Sequence, residues 1–559
     1  MIKPNAIALA LTLVLSPLAP SLALAQTPAA APAPADVAAY AKELVDGAYA
    51  AQGPGVAVLV ARGDQVLFRG ARGEADIEAH TALSPDQVFR IGSVSKQFAA
   101  AGVLKLVEDG KVRLDDPLSK YVPGYPNGDK ITVLMLLNHT SGIKSYTGMP
   151  GYMVESIKRD LTTAQMIDVF KGQPVDFAPG EKSSYNNSGY VLVGAVIEAA
   201  SGMPWHAYLD KVFFKPLGMT GTGYGADPKF VTRQVKGYTV DGGKVVPMRT
   251  LSMTQPHAAG ALLSTVDDLL KWNRALHEGK VLRTDSYKAM ITPVGAAVES
   301  KYGFGIGITQ QRGQTALQHS GGIFGFVSQL TYVPGPDITV VVLQNTDEGG
   351  NPGALARRLA AKALGNPYPK VVAVPVAPAA LRQAEGVYRF DEKTTRALRV
   401  VDGGLTAQRN GAPRAKLIPI GPDIFVYEDG FSRLKLERDA KGAVTGLRFF
   451  PQGEEPGIVG PRTNDPLPEA PVGVSLPRAA LDRVVGSYEV GGMTMTVSVD
   501  GAILKAQLTG QDPVTLRPAS ETRFEIVEVD AQLEFPAGAA PGQVTLYQGG
   551  QEIVFKRQP

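Results

Sequence analysis

The sequence contains no cysteine in 559 residues. Disulfides, thiolate nucleophiles, cysteine-ligated zinc and iron–sulfur clusters are thereby excluded, and a covalent nucleophile must be an oxygen or an amine. An excess of one charge is missing too: 56 Lys and Arg face 53 Asp and Glu, and no basic run carries interleaved aromatics. Nothing gathers phosphates, so no nucleic-acid partner is expected. None of the six histidines stands in an HExxH pair, and neither a GxxxxGK[ST] loop nor a GxSxG elbow occurs. Zinc peptidase, P-loop NTPase and α/β-hydrolase chemistry are left without support, and no metal or cofactor is expected. Past the N-terminal leader no stretch reaches the roughly 18 apolar residues of a membrane span. A chain with 44% hydrophobic and 19% charged residues, 62 Gly and 42 Pro is loop-rich and globular, and its length predicts three to four domains by the usual ~150 residues each.

What is present begins with a leader. Lys3, an apolar stretch from Ala6 to Leu18 and the small-residue site Ala23-Leu24-Ala25 predict a cleavable signal peptide at 1–25, and with it a periplasmic or secreted protein. An Ala/Pro linker follows at 26–37. Two further Ala-, Pro- and Val-rich breaks divide the rest into units at 38–368, 378–463 and 475–559. The last two are repeats, because Leu381, Gly386 and Tyr388 recur as Leu481, Gly486 and Tyr488. Their alternating patterns predict two small antiparallel β domains, each closing its own core. The first unit mixes both periods. GVAVLVARGDQVLFRGARG near its start and LTYVPGPDITVVVLQN near its end each predict a hairpin. Helical stretches lie between, among them 93–109 stopped by Gly110 and 265–277 stopped by Gly279. The expected fold is an antiparallel sheet built from both ends of the unit, with a long helical insertion.

Three short motifs carry chemistry. Ser93-Val94-Ser95-Lys96 opens a predicted helix, where the i to i+3 spacing puts hydroxyl and amine on one face. For Lys96 to act as a base near neutrality its pKa must fall by roughly 3 units, about 4 kcal/mol, which is expected to require burial and neighbouring positive charge. A second SxxK at Ser141 to Lys144 lies in a Gly-containing turn and reads as structural. Tyr185-Asn186-Asn187 follows a Pro-Gly turn and precedes an apolar helix, which places a phenol and an amide at one connection, whereas Tyr125-Pro126-Asn127 reads as a turn. His319-Ser320-Gly321 opens a glycine-rich stretch ahead of a strand. His139 is expected to fix a turn beside the site, and His80, His206 and His257 to be surface or packing residues.

The blocks DQVFRIGSVSKQFAAAGVLKLVEDGKVRLDDPLSKYVP, ITVLMLLNHTSGI, EKSSYNNSGYVLVGAVIEAASG and GALLSTVDDLLKWNRAL resemble those of the serine β-lactamase and penicillin-binding-protein-like family across nearly all of residues 40–365. The resemblance implies an antiparallel sheet flanked by helices beside an all-α region. It also implies roles: Ser93 as nucleophile, Lys96 and Tyr185 sharing the acid and base work, and Asn187 binding the substrate amide. His319 takes the place often held by lysine at the substrate, and the backbone N–H groups of Ser93 and Gly322 form the oxyanion hole. The HSG motif is more similar to the D-aminopeptidase, DD-peptidase and esterase branches than to β-lactamases, and the two trailing β domains resemble D-stereospecific aminopeptidases. The implied activity is hydrolysis of D-amino-acid amides or peptides through an acyl-enzyme, and the implied partner is a small peptide, amide or ester. An esterase, a β-lactamase and a non-catalytic wall-binding protein are the alternatives. An aminopeptidase must also meet a free ammonium with an acid, and the last β domain offers Asp512, Glu521, Glu525 and Asp530 for that purpose.

Overall fold

The computed structural model describes residues 32–558 apart from 150, 155, 242, 393, 402, 411–413, 429, 468–475, 491–492, 501–502, 509–512, 527–530, 539 and 549–550. The leader at 1–25 lies outside the described residues. Among those described, no helix is long and apolar enough to cross a membrane.

The central sheet has six antiparallel strands: β1 (Val56–Arg62), β2 (Gln65–Arg72), β3 (Gly307–Gln311), β4 (Gln314–Ile323), β5 (Phe326–Val333) and β6 (Ile338–Gln344), in the order β3-β4-β5-β6-β1-β2. The first two strands thus pair with four that follow some 230 residues later, with Val56 opposite Gln344 and Arg62 opposite Ile338. Both faces are covered. Because strand side chains alternate, Ala57, Leu59 and Ala61 pack into the main core while Val56, Val58 and Val60 pack on the other side. That second side is closed by α1 (Pro34–Ala48), which begins on a proline, and by α5 (Pro352–Ala363). The run VAVLVA is therefore apolar at every position.

On the first face lie α2 (Ser95–Glu108), α3 (Asn187–Ser201) and α4 (Val266–His277). Helix α2 runs through the interior, with all but three of its fourteen residues buried. Phe98 on it stacks against Trp272 of α4, ring centroids 4.0 Å apart, and Trp272 donates its indole N–H to Gln97. Truncating such a buried aromatic costs roughly 3–5 kcal/mol. Thr265 caps α4 through the Asp268 N–H, and Gly202 in a left-handed conformation ends α3.

The chain then forms two antiparallel β units of eight strands each, Gly386–Pro461 and Gly486–Arg557, and the second is a closed barrel. The expected fold class is the one adopted. The repeat is mechanical as well as sequential. Tyr388 donates its hydroxyl to the Ala384 carbonyl at 2.7 Å, and Tyr488 does the same to Val484 at 2.8 Å. Arg462 and Arg557 lie against Gly386 and Gly486, where a Cβ would meet the guanidinium. The first of these β units is pinned to the six-stranded sheet's unit by Glu454, whose carboxylate accepts the backbone N–H groups of Arg312 and Gly313 at 2.8 and 2.9 Å and the Tyr368 hydroxyl at 3.0 Å.

Burial pushes the imidazoles of His257 and His277 down to about 3. The unfolded chain takes up those protons below about pH 6.5, whereas the native state refuses them until about pH 3, so acid favours unfolding. Each histidine contributes stability that is complete above pH 6.5 and is diminished by about 2 kcal/mol at pH 5. Urea denaturation at pH 7.5 and 5.0 should show a lower midpoint in acid, and His257→Gln should reduce the difference; a midpoint independent of pH contradicts this account.

Candidate active site

Ser93 sits in a single 3₁₀ turn, Gly92–Val94, that leads directly into α2. Its N–H is among the first of a helix, which have no partner within the helix. Lys96, one turn on, has no solvent exposure. Its Nζ lies 3.0 Å from Ser93 Oγ, 2.9 Å from Asn187 Oδ1 and 2.8 Å from the Ala259 carbonyl oxygen. No carboxylate stands in that set, and burial holds the amine well below the usual lysine range. A neutral amine has two N–H groups and one lone pair. Asn187 and Ala259 offer only acceptors and take the two N–H groups, which leaves the lone pair for the Ser93 hydroxyl proton.

The Tyr185 ring lies 4.7 Å from Lys96 Nζ, and Ser93 is among the groups that act on its hydroxyl. The ring is about half exposed, at 47%, but desolvation among the neighbouring groups raises this phenol above its ordinary range, so it is protonated and able to donate. Tyr190 presents a second ring to the same amine at 5.4 Å. Two π faces favour the lysine cation once it forms, an interaction realised only after proton transfer.

The YNN triplet divides its labour. Asn186 caps α3 by accepting the Gly189 N–H at 2.8 Å, while Asn187 spans Lys96 and the Thr147 hydroxyl with its side-chain amide. His139, at φ 62°, accepts the Asn186 N–H and packs against Tyr185, Tyr190 and Tyr302. His319 lies within β4. Its Nδ1–H donates to the Ser320 carbonyl at 2.6 Å, and its Nε2 accepts from the Tyr302 hydroxyl at 2.8 Å. Burial pushes it down to about 3, so the imidazole is neutral and both nitrogens are committed. Tyr302 was invisible in the sequence, since nothing in KYGFG marks its role.

Gly322 lines a cleft of about 380 Å³ together with Ser93 and Asn187. Its walls are apolar, with Tyr146, Met153, Ile157, Leu251 and Phe324. The approach of β4 to the Ser93 turn needs glycine on both sides. A Cβ on Gly321 would lie 2.1 Å from the Ile91 carbonyl oxygen, and one on Gly92, at φ +48°, would meet the Gly322 nitrogen at 3.0 Å. The Ser328 hydroxyl clamps the same Ile91 carbonyl at 2.8 Å. The other SxxK is a turn: Ser141 is buried, and Lys144 pairs outward with Asp176 at 2.8 Å. Among the described residues the cleft's acid is Asp347, after β6. Of the four expected in the last β domain, Asp512 and Asp530 lie outside the described residues, Glu525 pairs with Arg517 at 2.6 Å, and neither it nor Glu521 lines the cleft.

A family model described as Beta-lactamase matches residues 37–365. The chain belongs to that family. Within it, the chain is similar to a D-aminopeptidase from Gluconobacter oxydans, 27% identical over 56% of this chain and 60% of the relative. Among solved structures it is similar to a D-amino acid amidase from Ochrobactrum anthropi bound to D-phenylalanine (25% identity, TM-score 0.51, 59% of this chain and 97% of that one). It is also similar to an octameric penicillin-binding protein homologue from Pyrococcus abyssi (26% identity, TM-score 0.52, 73% and 96%). The chain spans 59% to 68% of the length of the curated relatives it matches. Ser93, Lys96, Tyr185, Asn187 and His319 all lie within the residues matched to that family.

A fluorophosphonate should label Ser93 once, with Ser141 unlabelled in peptide mass spectrometry. Protonated Lys96 has no lone pair, so the labelling rate should fall as the pH drops through the depressed pKa of that amine. Gly321→Ala should slow labelling at least about 10-fold by displacing the second oxyanion donor; a rate equal to wild type would mean that the glycine contact does not set the geometry.

Proposed function

We propose that the chain is an exported hydrolase that cleaves D-aminoacyl amides or short peptides through an acyl-enzyme on Ser93. The observation that carries the chemistry is the Lys96 amine at 3.0 Å from Ser93 Oγ, with its two N–H groups already taken. The leader supports export, and the named activities of the D-aminopeptidase and amidase relatives support the substrate class. Among the described residues no lysine or arginine lines the cleft, which speaks against a substrate carboxylate such as that of a β-lactam.

The reaction follows from the geometry. Lys96 takes the Ser93 proton as Oγ bonds to the carbonyl carbon, and the oxyanion forms between the Ser93 and Gly322 N–H groups, each donor contributing about 3 kcal/mol. The intermediate collapses by breaking the C–N bond, and the leaving amine takes a proton from the Tyr185 hydroxyl, which Lys96 resupplies. Water then attacks the ester, gives its proton to Lys96 and releases the acid, and Ser93 regains a proton.

Turnover of D-alanine p-nitroanilide, p-nitrophenyl butyrate and nitrocefin should rank in that order and vanish for all three in Ser93→Ala. Lys96→Ala and Tyr185→Phe should each lower kcat at least about 100-fold, and the double variant should lose far less than the product, because the two groups pass one proton. Ester turnover without anilide turnover would favour an esterase, and fully multiplicative losses would separate the two groups into different steps.

A further inference from the structure

Among the described residues that line the apolar cleft, one carboxylate is not used by the acyl-transfer chemistry. Asp347 follows β6 on the turn that packs behind the β4–β5 hairpin, and it lines the same cleft as Ser93. Its Oδ2 accepts the Gly325 N–H at 2.8 Å, and its own N–H donates to the Tyr238 carbonyl at 3.2 Å. Oδ1 is shielded and has no hydrogen-bond partner. Gly325 cannot be drawn aside, because it holds φ +75° and a Cβ there would sit 2.7 Å from Met248. Fixing the hairpin needs only one acceptor oxygen, which an asparagine supplies equally well. The carboxylate adds a charge, and a shielded carboxylate oxygen with no partner is unfavourable until a cation meets it. The Arg249 guanidinium is occupied over the Phe324 ring at 4.3 Å and forms no ion pair with Asp347.

We propose that Asp347 binds the free ammonium of the substrate, at the acyl end of the cleft. The assignment of ends rests on the reading of Ser93 and Tyr185 given above. Tyr185 protonates the leaving group and is not among the residues lining the cleft, whereas Ser93, Gly322, Phe324 and Asp347 are. Three residues separate the Gly322 and Gly325 N–H groups, an interval of at most about 10 Å. That reach accommodates the amino end of a short acyl group of a single residue or a dipeptide, with its side chain against Tyr146, Met153 and Leu251. The catalytic unit thereby selects a free amino end without help from the β domains.

The test is calorimetric binding of D-phenylalaninol, which keeps the ammonium and cannot be hydrolysed, against its neutral N-acetyl derivative. Wild-type protein should bind the ammonium form at least about 10-fold more tightly, and Asp347→Asn, which retains an acceptor for Gly325, should bring the ratio close to one. A wild type without the preference, or an Asp347→Asn that keeps it, overturns the proposal. If that variant does not fold, the wild type still decides: affinity must fall as the ligand's own amine loses its proton at high pH, and a constant affinity refutes the assignment. Binding does not depend on turnover, so labelled Ser93 without ammonium preference sinks only this inference. Preference without labelling sinks only the acyl-enzyme.

Discussion

A lysine side chain sealed from solvent with no carboxylate beside it is the constraint on which the site depends. Lys96 is tolerated because it is uncharged at rest, and it is uncharged because its surroundings offer hydrogen bonds without countercharge. A single acid within reach would hold the ammonium and leave the lone pair occupied. The neighbouring groups obey the same condition. His319 and His139 are both neutral, Tyr185 keeps its proton, and Asn187 is an amide where an acid of similar shape would have quenched the base. The environment therefore stays close to neutral until a proton leaves Ser93, after which two tyrosine faces and two acceptors meet the new cation.

The fold supplies that dry position by distance in the chain. The Ser93 turn and the helix bearing Lys96 are held between α3, which brings Asn187, and the sheet, which brings Gly322. The sheet exists only when residues 56–72 have paired with residues 307–344. Contacts of such sequence separation close large loops before they yield stability. The glycines at 92 and 321 then let two backbones approach to a separation that side chains forbid. Oxyanion geometry is in this sense a product of long-range strand register, since a slip of one residue along β4 would turn a side chain toward Ser93.

Much of this was legible from the chain alone. Period-two and helical patterns gave the layered catalytic unit and the repeat, and the SxxK, YxN and HSG motifs marked residues that the structure gathers around one cleft. What escaped reading depends on partners remote in sequence. Asn186 and Asn187 look alike in the triplet, but one caps a helix and the other touches the lysine. Tyr302 orients His319 from 17 positions away. The expected role of His319 at the substrate gave no hint that both its nitrogens would be engaged. Asp347 lies in a polar turn that resembles any other, and the acids of the last domain drew attention because charge is visible in a sequence while burial is not. The arginines at 462 and 557 repeat at a spacing of 95 residues where the tyrosines repeat at 100, so insertions hid the correspondence.

The final unit differs from its sibling in one respect that bears on how the molecule meets others. Its first strand, Gly486–Val490, pairs with its last, Gln551–Arg557, whereas the preceding unit joins Tyr388 to Arg462 through an isolated bridge. A ring of strands has no terminal strand, so it presents no row of free N–H and C=O groups for another chain to extend. Self-association by strand addition, the commonest failure of exposed β structure, is closed off at this end of the molecule by topology alone, whatever side chains the surface carries.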